Sequence, residues 1–351
     1  MSRKNRIPNV STGPTLFIGG GGAGRDLARL TQERYIRGFS DLLGLNDGER
    51  GEVSEHLRKL YAGFYVDSDQ WDDAVLEPRF AGEEPERLRP PAGFEPLASP
   101  SGRYIIEHAD TPPFRHFSDW PRLNDVEQKS CDAEAEGNRL YGEANVYVNI
   151  REIASQIGLH IEKVRSLAGS DAWQALVAYG VPVTDKSYRV ELCISLSGGQ
   201  GTGAALALLG LVGKQVEDDR EKFKINLHVL LPGFFRAQGD EERREQRMKA
   251  LSVLRDLAAL KVSGSPLEIM HPEGIIALTS RHTNELFNHL FVYQPSPAEK
   301  NRYESFISRA SQSIVNAELS AAASDLRRSR SNALELARRT YSRKKFAVVG
   351  A

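Results

Sequence analysis

Two glycine-dense segments hold the residues whose spacing could do chemistry. Gly19-Gly20-Gly21-Gly22-Ala23-Gly24 follows a short β-favouring run, Thr15 to Ile18, and precedes a helical pattern with Leu27 and Leu30 one turn apart. Ser197-Gly198-Gly199-Gln200-Gly201-Thr202-Gly203 follows the alternating run Tyr188 to Leu196 and precedes the apolar stretch Ala204 to Val216. Glycine lets a backbone approach a phosphate because no Cβ intervenes, and it supplies the positive φ of tight turns. Successive N–H groups at a helix start then hold the anion. The chemistry is capture of a phosphate-bearing ligand between two strand-to-helix turns. Gly20, Gly21, Gly22, Ala23, Gly24 and Arg25 are the candidates in the first turn. Gly198, Gly199, Gln200, Gly201, Thr202 and Gly203 are those in the second, with Gln200 and Thr202 adding side-chain donors. A further strand, Phe64 to Val66, stops at Asp67-Ser68-Asp69, where Asp67 and Asp69 could orient the waters of a Mg²⁺ ion carried on the phosphates.

Other chemistries find little support. Gly19, Gly21 and Gly24 satisfy G-x-G-x-x-G, but a dinucleotide site wants an acid about 20 residues on. The nearest strand-end acids, Asp67 and Asp69, lie more than 40 residues beyond Gly24, so a NAD-binding Rossmann enzyme stands only as a rival reading. There is no G-x-x-x-x-G-K-[ST] and no G-x-S-x-G. None of the eight histidines pairs at i, i+4, and the two cysteines, Cys131 and Cys193, have no partner motif, so neither zinc nor a disulfide scaffold is indicated. Forty-six basic against 47 acidic residues give a net charge of −1, which argues against a globally basic nucleic-acid binder. The eight basic residues between Arg327 and Lys345 read as a solvated helix face. No apolar run reaches the roughly 18 residues of a membrane span, and the basic start, Met1 to Arg6, lacks the apolar stretch of a signal peptide. A reducing cytoplasm is the expected location.

The elements around these turns alternate. Strands are expected at 15–18, 64–66, 188–196, 223–231, 286–293 and 346–351. Helical patterns run over 142–167, 204–216, 240–260 and about 302–332, the last with Phe306, Ile307, Ile314 and Leu319 inward. Nine of the 17 prolines fall between residues 77 and 122, which marks a Pro-rich insertion. Strand–helix alternation predicts an α/β fold, a mostly parallel sheet flanked by helices on both faces. In such sheets ligands bind at the carboxyl ends of the strands, where both glycine turns sit.

The second turn, S-G-G-Q-G-T-G-A-A, resembles the G-G-G-T-G-T-G-A-A phosphate loop of the tubulin and FtsZ superfamily, with Gln200 in place of a threonine. The resemblance continues in order. Gly20 to Gly24 matches the first glycine cluster, although Arg25 and Asp26 follow where an asparagine is usual. Asp67-Ser68-Asp69 matches an N-T-D turn. Gly137-Asn138-Arg139-Leu140-Tyr141-Gly142 keeps the asparagine and glycine of A-N-P-E-x-G. Pro232-Gly233-Phe234-Phe235 is similar to P-F-x-F-E-G. It looks closer to the diverged bacterial tubulin-like proteins than to an ordinary FtsZ. The resemblance implies a nucleotide-binding domain over 14–333, with a central helix at about 302–332. It further implies that 340–351 begins a second, missing or truncated domain. It implies GTP or GDP with Mg²⁺ across the glycine turns, Asn138 and Gly142 facing the γ-phosphate, and Asn301 and Tyr303 near the base. It implies self-association or a filament, and GTP hydrolysis at the subunit contact if acids are supplied. The usual N-x-D-x-x-D pattern after the central helix is absent, which leaves Asp325, or Asp325 with Glu318, as the acid. A binding scaffold or sensor without turnover is the alternative.

Overall fold

Each core strand carries two apolar or buried faces, which is the pattern of a sheet covered on both sides. The protein is described by a computed structural model over residues 12–42, 45–68, 74–76, 86–88, 107, 139–181, 183, 187–235, 239–263, 267–271, 274–278, 286–300, 302–319 and 348–350. The elements are β1 (Thr15–Gly20), α1 (Gly22–Leu42), α2 (Asp47–Leu60), β2 (Tyr61–Val66), β3 (Ala74–Leu76), β4 (Glu86–Leu88), α3 (Arg139–Val148), α4 (Ile150–Ser166), α5 (Asp171–Ala178), β5 (Tyr188–Ser195), α6 (Gly199–Gln215), β6 (Phe223–Leu230), α7 (Asp240–Ser263), β7 (Leu267–His271), β8 (Gly274–Leu278), β9 (His289–Tyr293), α8 (Tyr303–Leu319) and β10 (Val348–Gly350).

The main sheet has six strands in the order β10-β9-β6-β5-β1-β2, and every pairing in it is parallel. Alternation divides its side chains. Leu16, Ile18, Val190, Leu192, Ile194, Leu227 and Leu290 pack with α3, α4, α6 and α7. Phe17, Cys193, Phe291 and Tyr293 pack on the other face with α1, α2, α5 and α8. The helices show why they form. In α4, Ile150, Ile153, Ile157, Ile161 and Val164 recur at three- and four-residue steps and are buried. α6 is buried along almost its whole length, as its apolar sequence requires. α2 begins in a capping box, with Asn46 Oδ1 accepting from Glu49 N at 2.9 Å and Asn46 N donating to Glu49 Oε2 at 3.2 Å.

The expected α/β architecture is present, with differences of detail. The helical pattern at 142–167 is two helices, because Asn149 leaves helical dihedrals (φ −100°, ψ 12°) and its side chain donates to Asn145 O at 2.7 Å. Part of the Pro-rich segment is regular: Glu86–Leu88 pairs antiparallel with Ala74–Leu76. A second antiparallel hairpin, β7–β8, was absent from the sequence reading. Of the central helix, 303–319 is described, with Phe306, Ile307, Ile314 and Leu319 buried as expected. The terminal strand pairs parallel with β9. Among the described residues no helix is long and apolar enough to cross a membrane.

Candidate functional site at the carboxyl edge of the sheet

β1 and β5 are neighbours, yet the chain leaves β1 towards β2 at one edge and leaves β5 towards β6 and the other. Ligands bind at this reversal in doubly wound sheets, outside the carboxyl ends of the strands. Both glycine turns stand there. Gly21 ends β1 at φ +71°, a conformation that favours glycine, and its N–H donates to Val66 O at 2.8 Å. α1 starts at the next residue. α6 starts at Gly199, with Gly198 as its N-cap (φ −101°, ψ 168°) and no side-chain cap. The two turns touch: a Cβ on Gly21 would lie 2.7 Å from Gly201 N. Two helix N-termini are thereby brought side by side, and each helix leaves its first N–H groups without intrahelical partners. Their dipoles favour an anion in the same place.

Most of the glycines turn out to serve close packing. A Cβ on Gly201 would meet Ser195 O at 2.2 Å, and one on Gly24 would meet Cys193 O at 2.5 Å. Gly142 and Gly203 allow α3 to lie on the first turns of α6, since their Cβ atoms would fall 2.1 Å from Gly199 O and 2.2 Å from Glu143 N. Gly198 differs: nothing lies within 4 Å of its Cβ position. Gly22 and Gly198 are the half-exposed members of the two turns, so the paired turns open to solvent at them.

Polar side chains complete the site. Arg25 Nη1 donates to Asp67 Oδ2 at 2.9 Å, and Arg25 Nε to Asp26 Oδ1 at 3.0 Å. Burial would depress the Arg25 guanidinium, but Asp26 and then Asp67 outweigh it and hold the cation above its usual value. Asp67 Oδ1 accepts from Ser68 N at 3.0 Å, so both carboxylate oxygens are engaged within the protein. The Tyr303 hydroxyl donates to Asp26 Oδ2, and burial, then Asp26, raise its pKa well above the ordinary tyrosine value. The Tyr303 ring stacks on Phe235, with centroids 5.2 Å apart, and Phe234 stacks on Phe306 at 4.7 Å. An aromatic pair at the start of α8 is thus tied through Asp26 and Arg25 to the end of β2.

Two buried polar atoms at the second turn have no hydrogen-bond partner among the described residues: Gln200 Nε2 and Ser197 Oγ. A buried donor left unsatisfied costs about 1–3 kcal/mol. Together with two helix starts, these atoms fit the oxygens of a bound phosphate. Thr202 does not share this vacancy, because its hydroxyl donates to Gly198 O at 2.6 Å and also lies 3.0 Å from Gly199 O. The described residues include no cluster of three metal-ligating side chains. With both Asp67 oxygens engaged, Mg²⁺ would reach this residue only through water.

The structure therefore gathers Gly20, Gly21, Gly22, Ala23, Gly24, Arg25, Asp67, Gly198, Gly199, Gln200, Gly201, Thr202, Gly203 and Tyr303 around one sheet edge, with Gly142 behind α6. Asp69, Asn138, Asn301 and Asp325 lie outside the described residues. Glu318 does not fit the role of an acid offered to a neighbouring subunit. It is buried against Arg189 (3.5 Å) and Lys224 (4.0 Å) in the core. Sequence reading missed Asp26, Ser197 and Asn145 as site residues. Asn145 carried a signal, since it follows Gly142 by three residues and shares its helix face.

No curated protein matches the chain. Among solved structures, that of TubZ from the Clostridium botulinum phage c-st is similar over 89% of this chain and 62% of the TubZ chain, at 8% identity and a TM-score of 0.34. The chain thus spans less than two thirds of that protein's length. A family model described as tubulin-like matches residues 16–347, from β1 to the residue before β10. The glycine turns, the helix α8 and every strand of the parallel sheet but the edge strand β10 fall within that match, and the chain belongs to the tubulin-like family.

Proposed function

We propose that the protein binds a guanine nucleotide, GTP or GDP, with Mg²⁺, and hydrolyses GTP where one copy meets the next in a self-associated assembly. One observation carries the nucleotide reading: Gly21 and Gly201 bring two helix starts into contact beside the buried Gln200 Nε2 and Ser197 Oγ, which have no hydrogen-bond partner among the described residues. In this reading the N–H groups at the starts of α1 and α6 bind the α- and β-phosphates. Arg25 offsets the negative charge of Asp67 beside them. Gln200 and Ser197 donate to phosphate oxygens. Tyr303 and Phe235 offer an aromatic surface to the base, and Asn301 lies two residues earlier in sequence than Tyr303. The same reading assigns Asn138, close in sequence to Gly142, to the outer phosphate, and Asp69 to the waters of the ion. The bound nucleotide supplies the phosphoanhydride bond and Mg²⁺ supplies charge neutralisation.

Asp325 is the proposed acid for the attacking water. A second reading is a nucleotide-binding scaffold or sensor without turnover. The burial of Glu318 favours it, because Asp325 then stands without the acid that could have joined it. The test is to purify the chain, denature it and identify released nucleotide by chromatography, then add GTP and Mg²⁺ and follow phosphate release and light scattering. Guanine nucleotide with concentration-dependent release supports the assembling GTPase. Guanine nucleotide without release supports the scaffold. Release of NAD refutes both.

A further inference from the structure

α3 is fixed on the first turns of α6 by missing side chains. Gly142 lets its backbone reach Gly199, and Gly203 lets α6 reach Glu143. This packing leaves α3 no room to slide, so Asn145, three residues after Gly142 and on the same helix face, has a defined address. Asn145 Nδ2 donates to Gln200 Oε1 at 3.1 Å. Both residues are buried, 2% and 5% exposed. The Gln200 carboxamide thus has its acceptor committed to α3 while its donor, Nε2, has no partner among the described residues. A carboxamide has one acceptor end and one donor end, and whichever end Asn145 takes decides which end faces away from it.

We propose that Asn145 is a positioning residue for Gln200. By donating to Oε1 it turns the Nε2 donor towards an anionic phosphate oxygen of the bound nucleotide. This rests on the nucleotide reading of the site above. It also gives the glutamine at this point of the turn a physical use. A hydroxyl is short and rotates to suit its surroundings, whereas a carboxamide reaches a neighbouring helix and can be oriented by it.

Two substitutions test it by titration calorimetry with GDP and Mg²⁺, with melting temperatures measured alongside. Asn145→Asp replaces the donor with an acceptor of the same shape, which draws Nε2 to α3 and presents Oε1 to the phosphate. It should weaken GDP about tenfold or more, as should Gln200→Ala. In the Gln200→Ala background Asn145→Asp should cause no further loss, because there is no amide left to orient. Asn145→Ala should behave in the same way without adding charge. Losses from Asn145→Asp or Asn145→Ala that persist undiminished in the Gln200→Ala background would show a general charge or packing effect and overturn the proposal. So would full GDP affinity in folded Asn145→Asp and Asn145→Ala proteins. A wild-type protein that binds no GDP would overturn the nucleotide reading itself, and the role of Asn145 would fall with it.

Discussion

Gly198 is where the demands of the fold and of the ligand separate. It caps α6 in an extended conformation, and its Cβ position is open. An aspartate there can accept from the first N–H groups of α6, and Asp is a better N-cap than Gly by a few tenths of a kcal/mol. The same carboxylate competes with a phosphate for those groups and repels it. Gly198→Asp should therefore leave the melting temperature unchanged or slightly raised while weakening GDP about 100-fold, since like-charge juxtaposition costs several kcal/mol. A calorimetric titration beside a thermal melt checks both signs. Gly201→Ala should instead destabilise the protein itself, because its Cβ would stand 2.2 Å from Ser195 O. The positions of the glycines were legible in the sequence, but their division of labour was not. Gly142, Gly201 and Gly203 serve backbone contacts with segments distant in sequence or folded back on them, and spacing does not reveal such contacts.

Among the elements, β5 shows how far alternation could be followed. Its pattern separates Val190, Leu192 and Ile194 from Arg189, Glu191, Cys193 and Ser195, and the structure keeps that division. A polar alternate face ordinarily means solvent. Here it is buried under α1 and α8, and its partners come from other elements: Arg189 meets Glu318, while Glu191 receives His228 Nε2 at 2.7 Å and Asn226 Nδ2 at 3.0 Å. No local pattern could name those partners. Burial would depress the Arg189 guanidinium, yet Glu318 first among its neighbours holds it above its usual value. Breaking a buried pair leaves an uncompensated charge, so Glu318→Ala should cost about 3–5 kcal/mol. Replacing both partners, as in Arg189→Met with Glu318→Leu, should recover most of that loss. Urea denaturation of the single and double variants measures it. Helix α2 was also missed, because only Val53, Leu57 and Leu60 are buried in a charged sequence. Its one clear signal was the capping box at Asn46 and Glu49.

At the scale of the whole molecule, strand–helix alternation was enough to foresee the parallel sheet and the position of both glycine turns at its carboxyl edge. The hairpin β7–β8 lies outside the main sheet, and alternation along the chain does not separate such a pair from the sheet's own strands. The edge strand β2 gives the molecule an alkaline limit. Burial is the first cause that pushes both the Tyr61 and Tyr65 hydroxyls up from 10 to about 12. Below pH 10 each is neutral whether folded or unfolded. Above it the unfolded chain ionises first, so stability falls between pH 10 and about 12 and then levels, by about 3 kcal/mol per tyrosine. Tyr61→Phe and Tyr65→Phe should each flatten that decline. Tyr61→Phe should also lose about 1 kcal/mol at neutral pH, because its hydroxyl bonds Thr12 at 2.6 Å.

The central claim is that the paired starts of α1 and α6 hold a guanine nucleotide. Titrating the nucleotide-free protein with GDP and Mg²⁺ in a calorimeter tests it most directly. The account predicts saturable binding of one GDP per chain, lost in Gly198→Asp. A folded protein that takes up no GDP, or that binds it equally well with an aspartate at that cap, would contradict it.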